Sequence, residues 1–120
     1  ELSPIQERLL WERIVRERLG EDASLLFDLA TLAQTAQEAH RLQSVWGVNV
    51  AEGTLAEEHQ QFQRWRADFM AWCERHGWAT RHELERDTVQ ALNGPVAGVI
   101  WPRQVVLAGF NRLNPAEQGL

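Results

Sequence analysis

The chain has 120 residues, 44% of them hydrophobic and 24% charged, with a formal net charge of −5. This describes one small foldable domain and excludes a disordered tail or a pair of ordinary domains. All 12 basic residues are Arg, which excludes a phosphate-binding loop, whose Gly-Lys-Ser/Thr needs its Lys, and any Lys-based covalent catalysis. The pI of about 5.3 is the reverse of the basic balance usual in a self-sufficient nucleic-acid-binding domain. The single Cys73 permits no internal disulfide and points to a reducing, cytoplasmic setting. No apolar run approaches the ~20 residues needed to cross a bilayer, and no signal peptide is visible. The chain begins at Glu1 rather than Met, so it reads as a piece cut from a longer protein.

Ser3-Pro4-Ile5-Gln6 opens a first helix with a capping box and a preorganised proline turn. Ile5, Leu9, Leu10, Ile14, Val15 and Leu19 recur at helical spacing, Trp11 lies near the edge of that stripe, and Gly20 is suited to end it. Asp22 or Ser24 is placed to cap a second helix running through Leu25, Leu26, Leu29, Leu32, Ala33, Ala36, Ala39 or His40, and Val45 or Trp46, to Gly47. Its alanines permit close approach of a neighbour. After a polar link, Thr54-Leu55-Ala56-Glu57 reads as a second capping box. Phe62, Trp65, Phe69, Trp72 and His76 then form an aromatic stripe ending at Gly77, the largest expected contribution to the core. Thr80-Arg81-His82-Glu83 is a third capping box, and a shorter helix runs through Leu84 and Leu92 to Asn93-Gly94. Gly94, Pro95, Gly98 and Pro102 mark a loop holding Val99, Ile100 and Trp101. Val105 to Gly109 suits a strand buried on both faces. Asn114-Pro115-Ala116-Glu117 starts another capped helix. With nothing else reading as strand, the sheet partners of Val105–Gly109 are expected elsewhere in a parent protein.

Residues that could carry chemistry are few. Cys73, His76 and His82 match no standard zinc spacing and read as a buried Cys with two ordinary His. His40 and His59 read as surface or half-buried residues rather than catalytic ones. The aromatic stripe could stack bases, but its helical spacing favours a core. Trp46, Trp78 and Trp101 read as corner plugs between elements. Arg64, Arg66, Arg75, Arg81 and Arg86 could form a local basic face that contacts phosphates. The interspersed Glu74, Glu83 and Glu85 favour a solvated face instead. No nucleophile–base pair and no metal cluster points to an enzyme or to a cofactor.

The segment Val105-Val106-Leu107-Ala108-Gly109-Phe110-Asn111-Arg112-Leu113-Asn114-Pro115-Ala116-Glu117-Gln118 resembles motif II of superfamily 1 helicases: an apolar strand, two acids, an apolar residue, Gln-Asp, then Asn-Pro and a later Gln. Phe110 matches the apolar position, Asn111 the Gln, Asn114 and Pro115 the trailing pair, and Gln118 the later Gln. Ala108 and Gly109 stand where the two acids belong. The Gly-Phe after the strand also looks like the second subunit of AddAB-type helicase–nucleases. With Leu2 to Ile14, Ala39-His40-Arg41-Leu42, Trp46-Gly47, Phe62-Gln63-Arg64-Trp65, Gly77-Trp78 and Pro102-Arg103, the whole chain is similar to the proteobacterial "probable DNA repair protein" family, AddB-like and RecB-like proteins with a C-terminal nuclease.

The resemblance implies a location and a role. Residues 1–94 would be a helical 1B-like insertion of the first motor domain. Residues 95–120 would be a linker, the orphan motif II strand and the start of a motor-core helix. In the family the first acid holds the nucleotide's Mg2+ and the second helps activate water; Ala108 and Gly109 can do neither. The expectation is therefore a mainly α fold, a bundle of about four helices with one C-terminal β-strand. Its function would be a non-catalytic module of a helicase- or nuclease-type DNA repair protein, without a cofactor. Its partners would be DNA, through Arg64, Arg66, Arg75 and Arg81, the rest of the parent chain, and a partner helicase–nuclease subunit; no membrane is expected. The alternative is a helical protein-interaction module that docks through exposed Trp and Leu.

Overall fold

In a computed structural model of the chain, the described residues are 1–25, 28–48, 56–94, 98, 104, 106, 108–109 and 111–118. They form four main helices and a short fifth: α1 (Pro4–Leu19), α2 (Leu29–Trp46), α3 (Glu57–His76), α4 (Arg81–Leu92) and α5 (Pro115–Gln118). A 3-10 segment, Gly20–Leu25, follows α1. Among the described residues no helix is long and apolar enough to cross a membrane.

The helix starts follow local hydrogen-bond chemistry. Gln6 N–H donates to Ser3 Oγ at 3.3 Å while Ser3 N–H donates to Gln6 Oε1 at 3.0 Å, closing the expected box. Thr80 N–H donates to Glu83 Oε2 at 2.8 Å in the box that opens α4. Asn114 and Glu117 bond reciprocally at 2.8 and 2.9 Å to start α5. Two starts differ from expectation. Helix α2 is capped by Asp28, which accepts from Thr31 N–H at 2.9 Å and also from the Thr31 hydroxyl, not by Asp22 or Ser24. The 3-10 segment occupies the place where the sequence pattern put the first turn of α2. Helix α3 begins at Glu57 with Ala56 in the cap position and no side-chain cap bond; Thr54 and Leu55 of the expected box lie outside the described residues.

The core centres on α1, α2 and α3. Trp11, expected at the edge of the α1 stripe, is fully buried at its centre, with Glu7, Leu10, Ile14 and Val15 on the same face. Ile5 and Leu9 are instead 73% and 57% exposed. The reason is size: the indole fills the space between helices, and seating it rolls Ile5 and Leu9 towards solvent. Trp11 stacks on Phe69 of α3 at 4.7 Å between ring centroids and 13° between planes. Ala33 and Ala36 are buried on the facing side of α2, where small side chains let the backbones close up. On α3 the aromatic stripe is core as expected: Trp65 and Phe69 are buried, and Phe62 and Trp72 are half-buried against them. A fully buried Phe is worth about 2–3 kcal/mol by transfer alone. The Arg18 guanidinium forks onto the Asp68 carboxylate at 2.5 and 2.7 Å, tying α1 to α3.

Gly77 ends α3 at φ +62°, a conformation L-residues rarely take, and Trp78 N–H then reaches back to Cys73 C=O at 2.9 Å. Leu2 N–H bonds Ala79 C=O at 2.9 Å, so the chain's start is pinned beside the α3–α4 turn. Helix α4 packs on α2 and α5 but buries none of its own residues. Of the expected C-terminal strand, Val105 and Leu107 lie outside the described residues. The described Gln104, Val106 and Ala108 carry no strand, and Val106 is 78% exposed. The fold shown is therefore mainly helical, and α5 rests on α4 and α2.

Candidate functional site

The polar chemistry of the interior gathers where all four main helices meet, around His40. Its position follows from helical spacing: Ala33, Ala36 and His40 share the inward face of α2. His40 was expected at the surface or half-buried and is instead fully buried. Its ring lies 5.6 Å from Trp11 of α1, 5.0 Å from Phe69 of α3 and 5.4 Å from His82 of α4, the last edge-on. Neither ring nitrogen has a hydrogen-bond partner among the described residues.

The surrounding charges reinforce one another. Burial pushes His40 down to about 3, and the nearby His82 and Arg66 push the same way. Burial also lowers His82; Arg41 and Arg86 add to that, while Glu83 and Glu85 oppose it. His82 Nε2 is 3.1 Å from the Thr80 hydroxyl, and Thr80 is itself fully buried. Arg66 of α3 is half-buried, its Nε is buried without a partner, and burial lowers its affinity for the proton, against the pull of Glu83. Burial raises the Glu7 carboxyl above its usual range; Gln37 and Trp11 counter that, while Glu83 adds to it. Burial, then Glu83 and Glu7, push the Cys73 thiol up to about 11. A thiol so placed is not a nucleophile near neutral pH.

His82 also lies on two surface clefts. One of about 520 Å3 runs between α1 and α2 and includes Ile5, Glu7, Leu9, Gln37 and Arg41. The other, about 930 Å3, includes Val45, Leu84, Arg86, Val89 and Asn114.

The basic residues expected to contact DNA are spread rather than gathered. Arg64 is exposed on α3 and makes no ion pair among the described residues. Arg75 is exposed, and its Nε donates to Ala71 C=O at 3.3 Å. These two are eleven positions apart on one helix, about 20° around its axis, so they share a face. Arg66 lies on the opposite side of α3, beside His40. Arg81 pairs with Glu85 at 2.9 Å and Arg86 with Asp87 at 3.0 Å. Ala108, Gly109 and Asn111 are exposed, and Phe110 lies outside the described residues.

Cys73 is buried, while the His76 ring stacks on Trp72 at 3.9 Å on the surface and its Nδ1 is 2.8 Å from Trp72 C=O. Among the described residues no group of three or more His, Cys, Asp or Glu could hold a metal ion. His59, half-buried, is 3.0 Å from Gln63. Trp78, expected as a corner plug, sits edge-on to Trp72 at the α3–α4 turn; Trp101 lies outside the described residues. The His40 junction escaped the sequence reading, although the spacing from Ala33 and Ala36, and that of Glu7 from Leu10, Trp11 and Ile14, was visible. Comparison with family models, curated proteins and solved structures gives no match.

Proposed function

We propose that the chain is a non-catalytic helical module of a helicase- or nuclease-type DNA repair protein, and that it helps the parent protein hold DNA in the cytoplasm. The resemblance of its C-terminal segment to motif II supplies the family. In that reading Val105–Gly109 is a strand belonging to the parent's motor sheet, and Ala108 and Gly109 are the positions from which the Mg2+-binding acids have been lost. The observation that carries the DNA role is the shared exposed face of Arg64 and Arg75 on α3, with Arg64 in none of the ion pairs among the described residues. Arginines on one helix face, spaced along it, suit phosphates in succession. Arg66 and Arg81 would contribute less, the first turned to the interior and the second engaged by Glu85.

The test is a salt titration of DNA binding by the chain, followed by fluorescence anisotropy. Arg64→Gln with Arg75→Gln should weaken binding and reduce the slope of log K against log salt by about 2, since each neutralised phosphate contributes ~0.9. An unchanged slope, or no binding by the unsubstituted chain, overturns the reading. Ile5 and Leu9, apolar and exposed on α1, favour the second reading, a protein-interaction module. Self-association or partner binding that is lost on Leu9→Asp, without affinity for DNA, would establish that reading instead.

A further inference from the structure

We propose that α4 is an acid-released arm, held on the bundle by the packing of the His82 ring against the buried His40 ring. The inference is independent of any role in DNA binding. It starts from how little else holds α4. No residue of α4 is buried, its Leu84 is 38% exposed, and it supplies nothing to the hydrophobic core. Among the described residues its links to the body are the His82–His40 ring contact, the buried Thr80 at its start, the attraction of Glu83 for Arg66 of α3, and its packing on α2 and α5.

The contact works only while both rings are neutral. His40 faces Trp11 from α1, Phe69 and Arg66 from α3, and His82 from α4. His82 feels Arg41 from α2 and Arg86, Glu83 and Glu85 from its own helix. Glu7 and Arg8 of α1 and Glu38 of α2 line the same cleft as His82. The carboxylates are committed or turned elsewhere: Glu83 accepts from Thr80 N–H, Glu38 pairs with Arg41, and Glu85 pairs with Arg81. A proton on the His40 ring therefore sets a cation against another cationizable ring and a guanidinium in a dry interior, with no acceptor in place for it; His82, half-buried beside the clefts, the Thr80 hydroxyl and Glu83, is penalised less. Undocking α4 removes His82 and opens one side of His40 to water.

Proton linkage gives the direction. His40 titrates near 3 when α4 is docked, and its ordinary value is about 6.5. Below that value the ratio of undocked to docked α4 rises by at most about tenfold per pH unit, with a ceiling of about thirty-fold at pH 5 for one histidine if undocking freed its ring fully; Trp11, Phe69 and Arg66 stay against His40, so the rise is smaller than that ceiling. Uptake by His82 adds to this. Glu7 acts with the opposite sign: its raised pKa means that the docked form holds that proton more tightly, so it opposes release as the pH falls towards the carboxylate range.

The experiment is hydrogen exchange of the whole chain at pH 7 and pH 5, corrected for intrinsic exchange rates. Protection of the 84–92 amides should fall by several-fold, with about thirty-fold per histidine as the ceiling, while that of buried positions on α1 and α3 is retained. His82→Phe, at a half-exposed site, keeps a ring against His40 and removes one titrating group, so it should reduce the pH response. Adding His40→Leu, of similar volume, should abolish it. Should His40→Leu fail to fold, the His82→Phe comparison decides alone. Equal protection of α4 at both pH values overturns the proposal. So does simultaneous loss in α1, α3 and α4, which is global acid unfolding, or an undiminished response in His82→Phe.

Discussion

Leu9 and Leu10 are adjacent, chemically identical and both on the apolar stripe that the sequence pattern draws for α1, yet the structure separates them: Leu10 is 7% exposed and Leu9 57%. Truncating each to Ala therefore tests the roll of α1 directly. For Leu10→Ala the lost transfer free energy is about 2 kcal/mol, and the cavity left among Trp11, Ile14 and their partners adds to it. The total falls within the roughly 2.7–5.0 kcal/mol seen for buried leucines, and about 3 is expected here. For Leu9→Ala there is no cavity and little apolar area to lose, and alanine is the better helix former, so the change should stay within about 0.5 kcal/mol. A domain of this size is typically stable by about 5–15 kcal/mol, so the first variant still folds and both can be measured. In urea unfolding followed by circular dichroism, with m about 1.5 kcal/mol/M, Leu10→Ala should lower the midpoint by about 2 M at unchanged m. Leu9→Ala should leave the midpoint almost in place. Equal losses, or the larger loss at Leu9, would mean that α1 is rolled about its axis relative to the structure and that Trp11 is not its central anchor.

Two further outcomes follow from the same core. Cys73, buried and with its thiol raised to about 11, should resist a thiol-specific reagent at neutral pH in the folded chain and react at the ordinary rate once denatured; rapid labelling under native conditions would contradict the packing of α3. Ala36→Leu inserts a branched side chain where α2 is buried against its neighbours, and should cost about 1–3 kcal/mol by thermal unfolding, whereas the same change at the exposed Ala30 should be near neutral.

What the sequence made legible was local. The Ser3–Gln6, Thr80–Glu83 and Asn114–Glu117 boxes each close within four residues, so the residue types at that spacing are enough to place a helix start. The aromatic stripe of α3 was legible because large rings at helical spacing have few places to go but inward. The start of α2 was not: Asp22, Ser24 and Asp28 all have capping side chains, and the 3-10 segment before Asp28 settled among them. The roll of α1 was not legible either, since a single Trp outweighs two aliphatic residues only when its partners Phe69 and His40 are in view. The strand expected over Val105–Gly109 is not shown among the described residues, and β pairing is a long-range property that no local pattern supplies.

His40 is where these levels meet. A neutral imidazole buried without partners leaves one donor and one acceptor unpaired, each at a cost of about 1–3 kcal/mol, whereas an apolar side chain of similar volume would carry no such penalty. The imidazole thus subtracts from stability, and what it adds in return is a response to protons. The sign of that response is set first by burial and then by the groups around the ring. A carboxylate in hydrogen-bonding reach would raise the affinity of the docked form for a proton, and acid would tighten the contact with α4. Burial without such a partner disfavours the charged ring, and His82 and Arg66 push the same way, so a proton is bound more weakly in the docked form than in the open one, and acid must loosen the contact.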